Sequence, residues 1–165
     1  MNRRTLTQEQ IDWLLSQGIS PWAIIRPSPI KTCHGGRAKD GRFDERIEGP
    51  NWFIFEEETD LVFWQPRTGE IATDAGRSFA LGEELIDNPG TTALHQYLNI
   101  YSDPLTLLQN DRRGIVVIDW TNAFDRLREV PRVAVSASLL PTYKKFMRPR
   151  RIPTLAVLAE PGCSS

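Results

Sequence analysis

Hydrophobic positions along this chain come in short groups separated by turn residues, which predicts a domain of short helices and short strands. The first group follows Thr7, whose hydroxyl can accept from the backbone N–H of Gln10 while the Gln10 side chain bonds back to Thr7. Apolar residues then recur at helical spacing, and Gly18 is placed to end the helix. A helix is therefore predicted between Thr7 and Gly18.

The following segment predicts one strand and then a loop. Residues 22–26 are mostly apolar, and the prolines that follow prevent them from extending as a central strand, so we expect a short strand there. Residues 31–50 contain few apolar side chains and many glycines and charges. This composition predicts a long exposed loop.

Aromatic runs in the middle of the chain predict an antiparallel meander. Residues 52–56 and 61–64 are two such runs, and the acidic residues between them predict a hairpin turn. A second turn begins at Pro66, and further short strands are expected near Ile71 and Phe79.

The stretch that follows the meander is harder to interpret. Leu94, Leu98 and Tyr101 recur at helical spacing, which favours a helix within residues 85–101. Ser102 is a suitable N-cap for another short helix, because Pro104 fits the first helical turn.

The last third of the chain alternates strand-like and helix-like segments. Strands with few polar residues are typical of parallel sheets covered on both faces, and crossover helices connect them. The pattern reads βαβαβ over residues 114–119, 122–129, 132–135, 139–147 and 154–159. The predicted fold class is α+β, with an N-terminal antiparallel β-meander and a C-terminal βαβαβ part that form one mixed sheet flanked by short helices. We expect one domain over residues 1–165, an exposed loop at about 31–50 and a flexible tail from about 160.

Composition supports a folded protein. The chain has 165 residues, of which 40% are hydrophobic and 25% are charged, as in ordinary globular domains. No apolar run approaches the length needed to cross a bilayer, and no apolar signal core follows the N-terminus. A cytoplasmic location without a membrane partner is expected.

Charge is distributed unevenly along the chain. Residues 1–111 carry 10 basic and 17 acidic side chains, whereas residues 112–151 carry 10 basic and 3 acidic ones. Such a division can steer an anionic partner to one face, or it can let the two halves attract each other.

Motifs of known catalytic sites are missing. The sequence contains no P-loop, GxGxxG, GxSxG or HExxH pattern, so no cofactor is expected and a non-catalytic protein is favoured over an enzyme. Cys33 and His34 are adjacent, while His95 and Cys163 are distant, which is not the spacing of a metal site. We expect no metal.

Asp119 is the candidate for a small enzyme site. It ends a predicted parallel strand, where ligand crevices form, and Trp120 is its neighbour. An Asp at that position can equally cap the following helix. The acidic residues from Glu56 to Asp60 form the second part of this alternative, because clustered carboxylates can raise one another's pKa or bind a cation.

The basic segment, residues 143–151, is the most unusual part of the sequence. It combines two aromatic rings with five cations. Cations neutralise phosphates and aromatic rings stack on unpaired bases, so nucleic acid is a reasonable partner. The other interpretation is that Phe146 and Met147 pack inward while the cations are solvated at a helix end. The candidate binding residues here are Tyr143, Lys144, Lys145, Arg148, Arg150 and Arg151.

These observations lead to a function hypothesis with two alternatives. The leading hypothesis is a non-catalytic binding or accessory protein that uses its basic C-terminal surface to meet an acidic partner, such as nucleic acid. The first alternative is a small enzyme at Asp119 and the acidic hairpin. The second is a homodimer whose interface uses exposed aromatic residues, among them Trp52 and Trp64.

Overall fold

The structure is a computed structural model that describes residues 2–149, 151–159 and 161. It contains six α-helices and ten strands within those residues. The helices are α1 Gln8–Ser16, α2 Pro21–Ile25, α3 Glu84–Asp87, α4 Pro104–Gln109, α5 Ala123–Leu127 and α6 Leu140–Phe146. The strands are β1 Arg4–Thr5, β2 Lys31–Arg37, β3 Phe43–Glu45, β4 Asn51–Glu56, β5 Leu61–Gln65, β6 Glu70–Thr73, β7 Ala80–Leu81, β8 Leu98–Ile100, β9 Val116–Val117 and β10 Val133–Val135. Short 3-10 helices occupy Pro89–His95, Trp120–Asn122 and Ala137–Leu139.

The larger sheet is antiparallel and has the order β1-β2-β4-β5-β6, with β3 paired to β2. Strands β4 and β5 form the predicted hairpin, with Phe53 opposite Trp64 and Glu56 opposite Leu61. The predicted turn into β6 is also confirmed. The meander ends there, because β7 leaves this sheet and pairs with β9.

Both faces of the β4–β5 hairpin are buried, which explains its aromatic composition. Alternate side chains of a strand point to opposite faces. Phe53 and Trp64 face a core that helices α1, α2 and α4 complete, whereas Trp52 and Phe63 face a second cluster beside Phe43. Trp52 and Trp64 are therefore buried and cannot form the exposed aromatic interface that the homodimer hypothesis required.

The remaining strands form two small sheets of two strands each, β7 with β9 and β8 with β10, and the second of these is the parallel part of the fold. Strand β10 pairs with β8 in parallel, and an isolated parallel bridge joins Ile100 of β8 to Ile115, which immediately precedes β9. The chain order β8-α4-β9-α5-β10 is thus the βαβαβ pattern. It begins with β8, one strand and one helix earlier in the chain than predicted. The class, mixed α+β, agrees with the prediction, but the strands form separate sheets.

Two predictions in the C-terminal half are wrong. Residues 154–159 form no strand; they are exposed and lack regular structure, because β8 already supplies the third parallel strand. Residues 85–101 do not form one helix either. Leu94 and His95 adopt positive φ angles of 54° and 63°, which end the 3-10 turn and let the chain enter β8. The tail predicted from about residue 160 lies, apart from residue 161, outside the described residues.

The expected exposed loop at residues 31–50 is also wrong. Strands β2 and β3 occupy much of it, and Cys33 is buried in the main sheet. The glycines serve close packing, because a Cβ added to Gly35 would lie 2.4 Å from the carbonyl oxygen of Asp44. Glycine-rich composition is thus the result of tight strand packing in this segment, although it is more typical of loops.

Side-chain hydrogen bonds at the N-caps determine where the two N-terminal helices begin. The Thr7–Gln10 capping box is present, and Gly18 follows α1 with a φ of 80°, as predicted. The strand expected at residues 22–26 is instead helix α2, since the Ser20 hydroxyl accepts from the backbone N–H of Ala23. Helix α4 is capped by Asp103, one residue beyond the predicted Ser102. No helix within the described residues has the length and apolar character needed to cross a bilayer.

Candidate functional site

The basic segment lies on α6 and the residues after it. Lys144, Lys145, Arg148 and Arg151 are exposed, and we call these four residues the basic surface. None of them has a carboxylate within 4.0 Å among the residues that the structure describes. Arg150, the remaining predicted cation, lies outside the described residues. The acidic half of the chain therefore does not neutralise the basic surface through close ion pairs with described residues.

Aromatic side chains anchor this segment. Tyr143 and Phe146 are half-buried and pack against the core cluster that the two small sheets share. The rings of Phe146 and Trp120 lie 6.4 Å apart between centroids, and the ammonium group of Lys145 lies 5.1 Å from the Phe146 ring centroid. The predicted residues Tyr143 and Trp120 thus belong to the support of the basic surface.

Asp119 uses its carboxylate within its own turn. Its Oδ1 accepts from the backbone N–H of Thr121 at 3.1 Å and from the Thr121 hydroxyl. Its Oδ2 accepts from the side-chain amide of Asn122 at 2.5 Å. This is the N-cap of the 3-10 helix Trp120–Asn122, which fits the capping interpretation.

The acidic turn, residues 56–60, does not converge on one site. Glu56 forms ion pairs with Lys31 at 2.9 Å and with Arg3 at 3.1 Å, and the hydrogen bond from Lys31 lowers its pKa. Glu58 is exposed. No hydrogen bond or ion pair among the described residues joins any of these carboxylates to Asp119.

Asp60 is a buried structural carboxylate. Burial opposes its ionisation, but four backbone N–H donors outweigh burial and hold its pKa below the ordinary value. The donors lie 2.7–3.2 Å away and belong to Leu61, Ala75, Arg77 and Ser78. Asp60 thereby fixes the chain that leaves the main sheet toward β7.

Glu57 points away from the other acidic residues and lines a cleft. Its Oε1 accepts from the backbone N–H of Gly82 at 2.5 Å. Burial, together with the nearby carboxyl of Glu84, with which it shares a hydrogen bond, raises the pKa of Glu57 to about 8. Glu57 therefore holds a proton at neutral pH in most molecules.

Arg112 borders the same cleft, whose volume is about 410 Å³. Its Nε and Nη2 atoms are buried without a hydrogen-bond partner, and burial lowers its pKa to about 10. Arg112, Glu84 and Gly82 are not predicted from the sequence. The sequence around Arg112 shows two basic residues followed by Gly114 and an apolar strand. That pattern does not reveal that the Arg112 guanidinium is buried.

Cys33 and His34 do not form a reactive pair. Burial, with a smaller contribution from the charge of Glu45, raises the pKa of the Cys33 thiol to about 12, so it stays protonated. The His34 Nδ1 atom lies 2.9 Å from the Gly49 carbonyl oxygen. Within the described residues no three His, Cys, Asp or Glu side chains are grouped to hold a metal ion.

Comparison with models of protein families, with curated proteins and with solved structures finds no match to this chain. The class that the fold defines is a mixed α+β domain. The basic surface and the cleft are the two candidate sites among the described residues.

Proposed function

We propose that the protein is a non-catalytic binding protein whose basic surface binds single-stranded nucleic acid. One observation carries the proposal: Lys144, Lys145, Arg148 and Arg151 are exposed, and within the described residues no carboxylate pairs with them. Unpaired exposed cations attract phosphates and release counterions when they bind. A short run of cations can follow the flexible backbone of a single strand, while the half-buried Tyr143 and Phe146 hold the segment in place.

The enzyme alternative has less support. Asp119 uses both carboxylate oxygens in its own turn, and the carboxylates of the acidic turn have separate partners. A hydrolytic or transfer site needs a nucleophile or a base beside a second group that orients it. The described residues do not supply that arrangement at Asp119.

The first prediction concerns nucleic-acid affinity. A fluorescent single-stranded oligonucleotide should bind at low salt, and the combined change Lys144→Ala, Lys145→Ala and Arg148→Ala should weaken binding for every sequence tested. The logarithmic salt dependence should become shallower by about 0.7 for each phosphate that the variant no longer neutralises. Fluorescence anisotropy at several salt concentrations measures both effects.

A matched control separates a specific surface from bulk charge. The combined change Lys39→Ala, Arg67→Ala and Arg77→Ala removes three exposed cations elsewhere and alters net charge equally. It should leave affinity and salt dependence near those of the parent protein. Equal weakening in both variants, or no binding at low salt, would overturn the proposal. Binding of poly-glutamate without binding of the oligonucleotide would instead indicate an acidic polypeptide partner.

A further inference from the structure

The cleft beside Glu57 lies between strand β4 of the larger sheet, the end of β7 and helix α4. Apolar side chains contribute much of its wall, among them Phe55, Leu81 and Leu107. Its volume, about 410 Å³, is within the range of sites for small molecules. An apolar wall with a few polar groups is the usual composition of such sites.

Arg112 is the group in the cleft whose buried polar atoms are not paired, while Glu57 is half-buried and Glu84 is exposed at the rim. Arg112 interacts electrostatically with Glu57 and Glu84, yet the described residues contain no ion pair between them within 4.0 Å. Two nitrogen atoms of Arg112 have no hydrogen-bond partner. Buried donors without partners cost free energy, so a ligand that supplies acceptors would be favoured.

The other charged groups that border the cleft are already engaged. The Arg26 guanidinium lies over the Trp22 ring at 4.7 Å from its centroid. Glu56 is held by Lys31 and Arg3, and Asp111 accepts from the Ser20 hydroxyl at 2.7 Å. Three groups keep capacity for a ligand: Glu57 has a second carboxyl oxygen beside the one that accepts from Gly82, Glu84 is exposed, and Arg112 lies 5.3 Å from the Phe55 ring centroid with two unpartnered nitrogen atoms.

The backbone holds Arg112 in an uncommon conformation. Asp111 and Arg112 both have a φ of 56°, a region that residues with a Cβ rarely adopt. The Arg112 N–H donates to the Leu107 carbonyl oxygen at 3.0 Å, and the Ser20 contact fixes Asp111. Backbone strain of this kind is concentrated at binding sites, where the surrounding structure maintains it.

We propose that this cleft binds a small zwitterion with an apolar body, such as an apolar amino acid, with its carboxylate at Arg112 and its ammonium group at Glu57 and Glu84. A carboxylate offers two acceptors to a guanidinium, and an ammonium group offers three donors to the two carboxyls. The apolar body would pack on Phe55, Leu81 and Leu107. The zwitterion thus matches both signs of charge and the apolar wall, whereas a simple anion would leave the carboxyls unmatched.

Binding of the ammonium group displaces a proton from the cleft. In the free protein the Glu57 carboxyl holds a proton, because burial and the neighbouring Glu84 raise its pKa to about 8. The bound ammonium group replaces that proton, which passes to the buffer, and no covalent bond changes. Binding at pH 7 should therefore release up to about one proton.

Three probes with the same branched hydrocarbon body test the ligand class by titration calorimetry. The probes are L-leucine, 4-methylpentanoate, which lacks the amino group, and 3-methylbutylamine, which lacks the carboxylate. L-leucine should bind at least about tenfold more tightly than either of the others. Equal affinity for 4-methylpentanoate, or no binding of leucine at about 10 mM, would overturn the proposal.

Variants locate the binding to the cleft. Arg112→Lys and Glu57→Gln should each weaken leucine binding about tenfold or more, and Glu57→Gln should also abolish proton release, seen by comparing two buffers of different ionisation enthalpy. Circular dichroism shows whether each variant is folded. Arg112→Lys is chosen because it keeps the positive charge in the cleft, whereas Arg112→Met would remove that charge and could prevent folding. Lys39→Ala, which removes an exposed cation outside both the cleft and the basic surface, is the control and should bind leucine normally. Unchanged leucine affinity in the two folded cleft variants, or proton uptake in place of release, would contradict the assignment.

Discussion

The acidic turn and the basic surface are the two regions where charge of one sign is most concentrated, and they relate to the rest of the molecule in opposite ways. In the acidic turn, Glu56, Glu57 and Asp60 each have a distinct partner inside the fold. In the basic surface, no described carboxylate lies within ion-pair distance of a cation. The acidic turn is part of the architecture, whereas the four cations of the basic surface are exposed.

The difference follows from what each group can bond to. A short carboxylate accepts hydrogen bonds, and turns concentrate backbone N–H groups that need acceptors, so an acidic residue can be built into the backbone. Lysine and arginine only donate, and their long side chains reach solvent easily. Charge density along the sequence therefore does not reveal which cluster is available for binding.

Glu57 and Asp60 show how strongly the local environment acts, since they are three residues apart in the same turn. Asp60 accepts from four backbone N–H groups and stays ionised, whereas Glu57 accepts from one and lies beside another carboxyl. The pKa of Asp60 is lowered and that of Glu57 is raised to about 8. Burial opposes ionisation of both carboxyls, but four backbone donors outweigh it at Asp60, whereas one donor at Glu57 does not outweigh burial and the neighbouring Glu84.

The largest effect is expected at Asp60. Asp60→Ala removes the acceptor of four backbone N–H groups in a buried region, so the free energy of unfolding at pH 7 should fall by about 3 kcal/mol. Because the pKa of Asp60 is lowered in the fold, the difference from the parent protein should shrink below about pH 4. Urea unfolding measures it. Glu58→Ala, which alters an exposed neighbour, is the control; an equal decrease there would contradict this role of Asp60.

The next effect concerns the pH dependence of stability. Between about pH 5 and pH 8 the folded protein keeps the Glu57 proton that the unfolded chain releases, because the pKa rises from 4.5 to about 8. Stability should therefore fall as pH rises, by at most about 1.4 kcal/mol per pH unit. Glu57→Gln should remove this fall. Urea unfolding at several pH values tests it, and parallel curves for the two proteins would show that Glu57 is not the group responsible.

The smallest effect is expected on the basic surface. Lys145 is exposed, and its described cation–π contact is with the Phe146 ring. Lys145→Ala should therefore change the free energy of unfolding by less than about 0.5 kcal/mol. Urea unfolding at neutral pH provides the value. A decrease as large as that of Asp60→Ala would mean that this cation supports the fold, and the contrast between the two regions would disappear.

Interactions between neighbours in sequence were predictable. The capping box at Thr7 and Gln10 and the hairpin of β4 and β5 rest on residues a few positions apart, so the sequence predicts them correctly. Asp119 bonds within its own turn, as its capping interpretation required. The exposure of Lys144 and Lys145 could also be expected, because unpaired ammonium groups are costly to bury.

Contacts between distant parts of the chain were not predictable from local pattern. The glycine-rich segment at Gly35 is a strand because β3 and β4 pair with it on either side, and the apolar residues 154–159 remain exposed because β8 takes the place in the parallel sheet. The cleft brings Glu57, Glu84 and Arg112 together from three separate parts of the chain.

Sequence by itself determined the Thr7–Gln10 capping box, the β4–β5 hairpin and the basic segment, because those depend on short-range sterics and hydrogen bonding. Strand partners, burial of Arg112 and protonation of Glu57 were decided only by the tertiary structure, because burial and pKa depend on which distant groups surround a side chain.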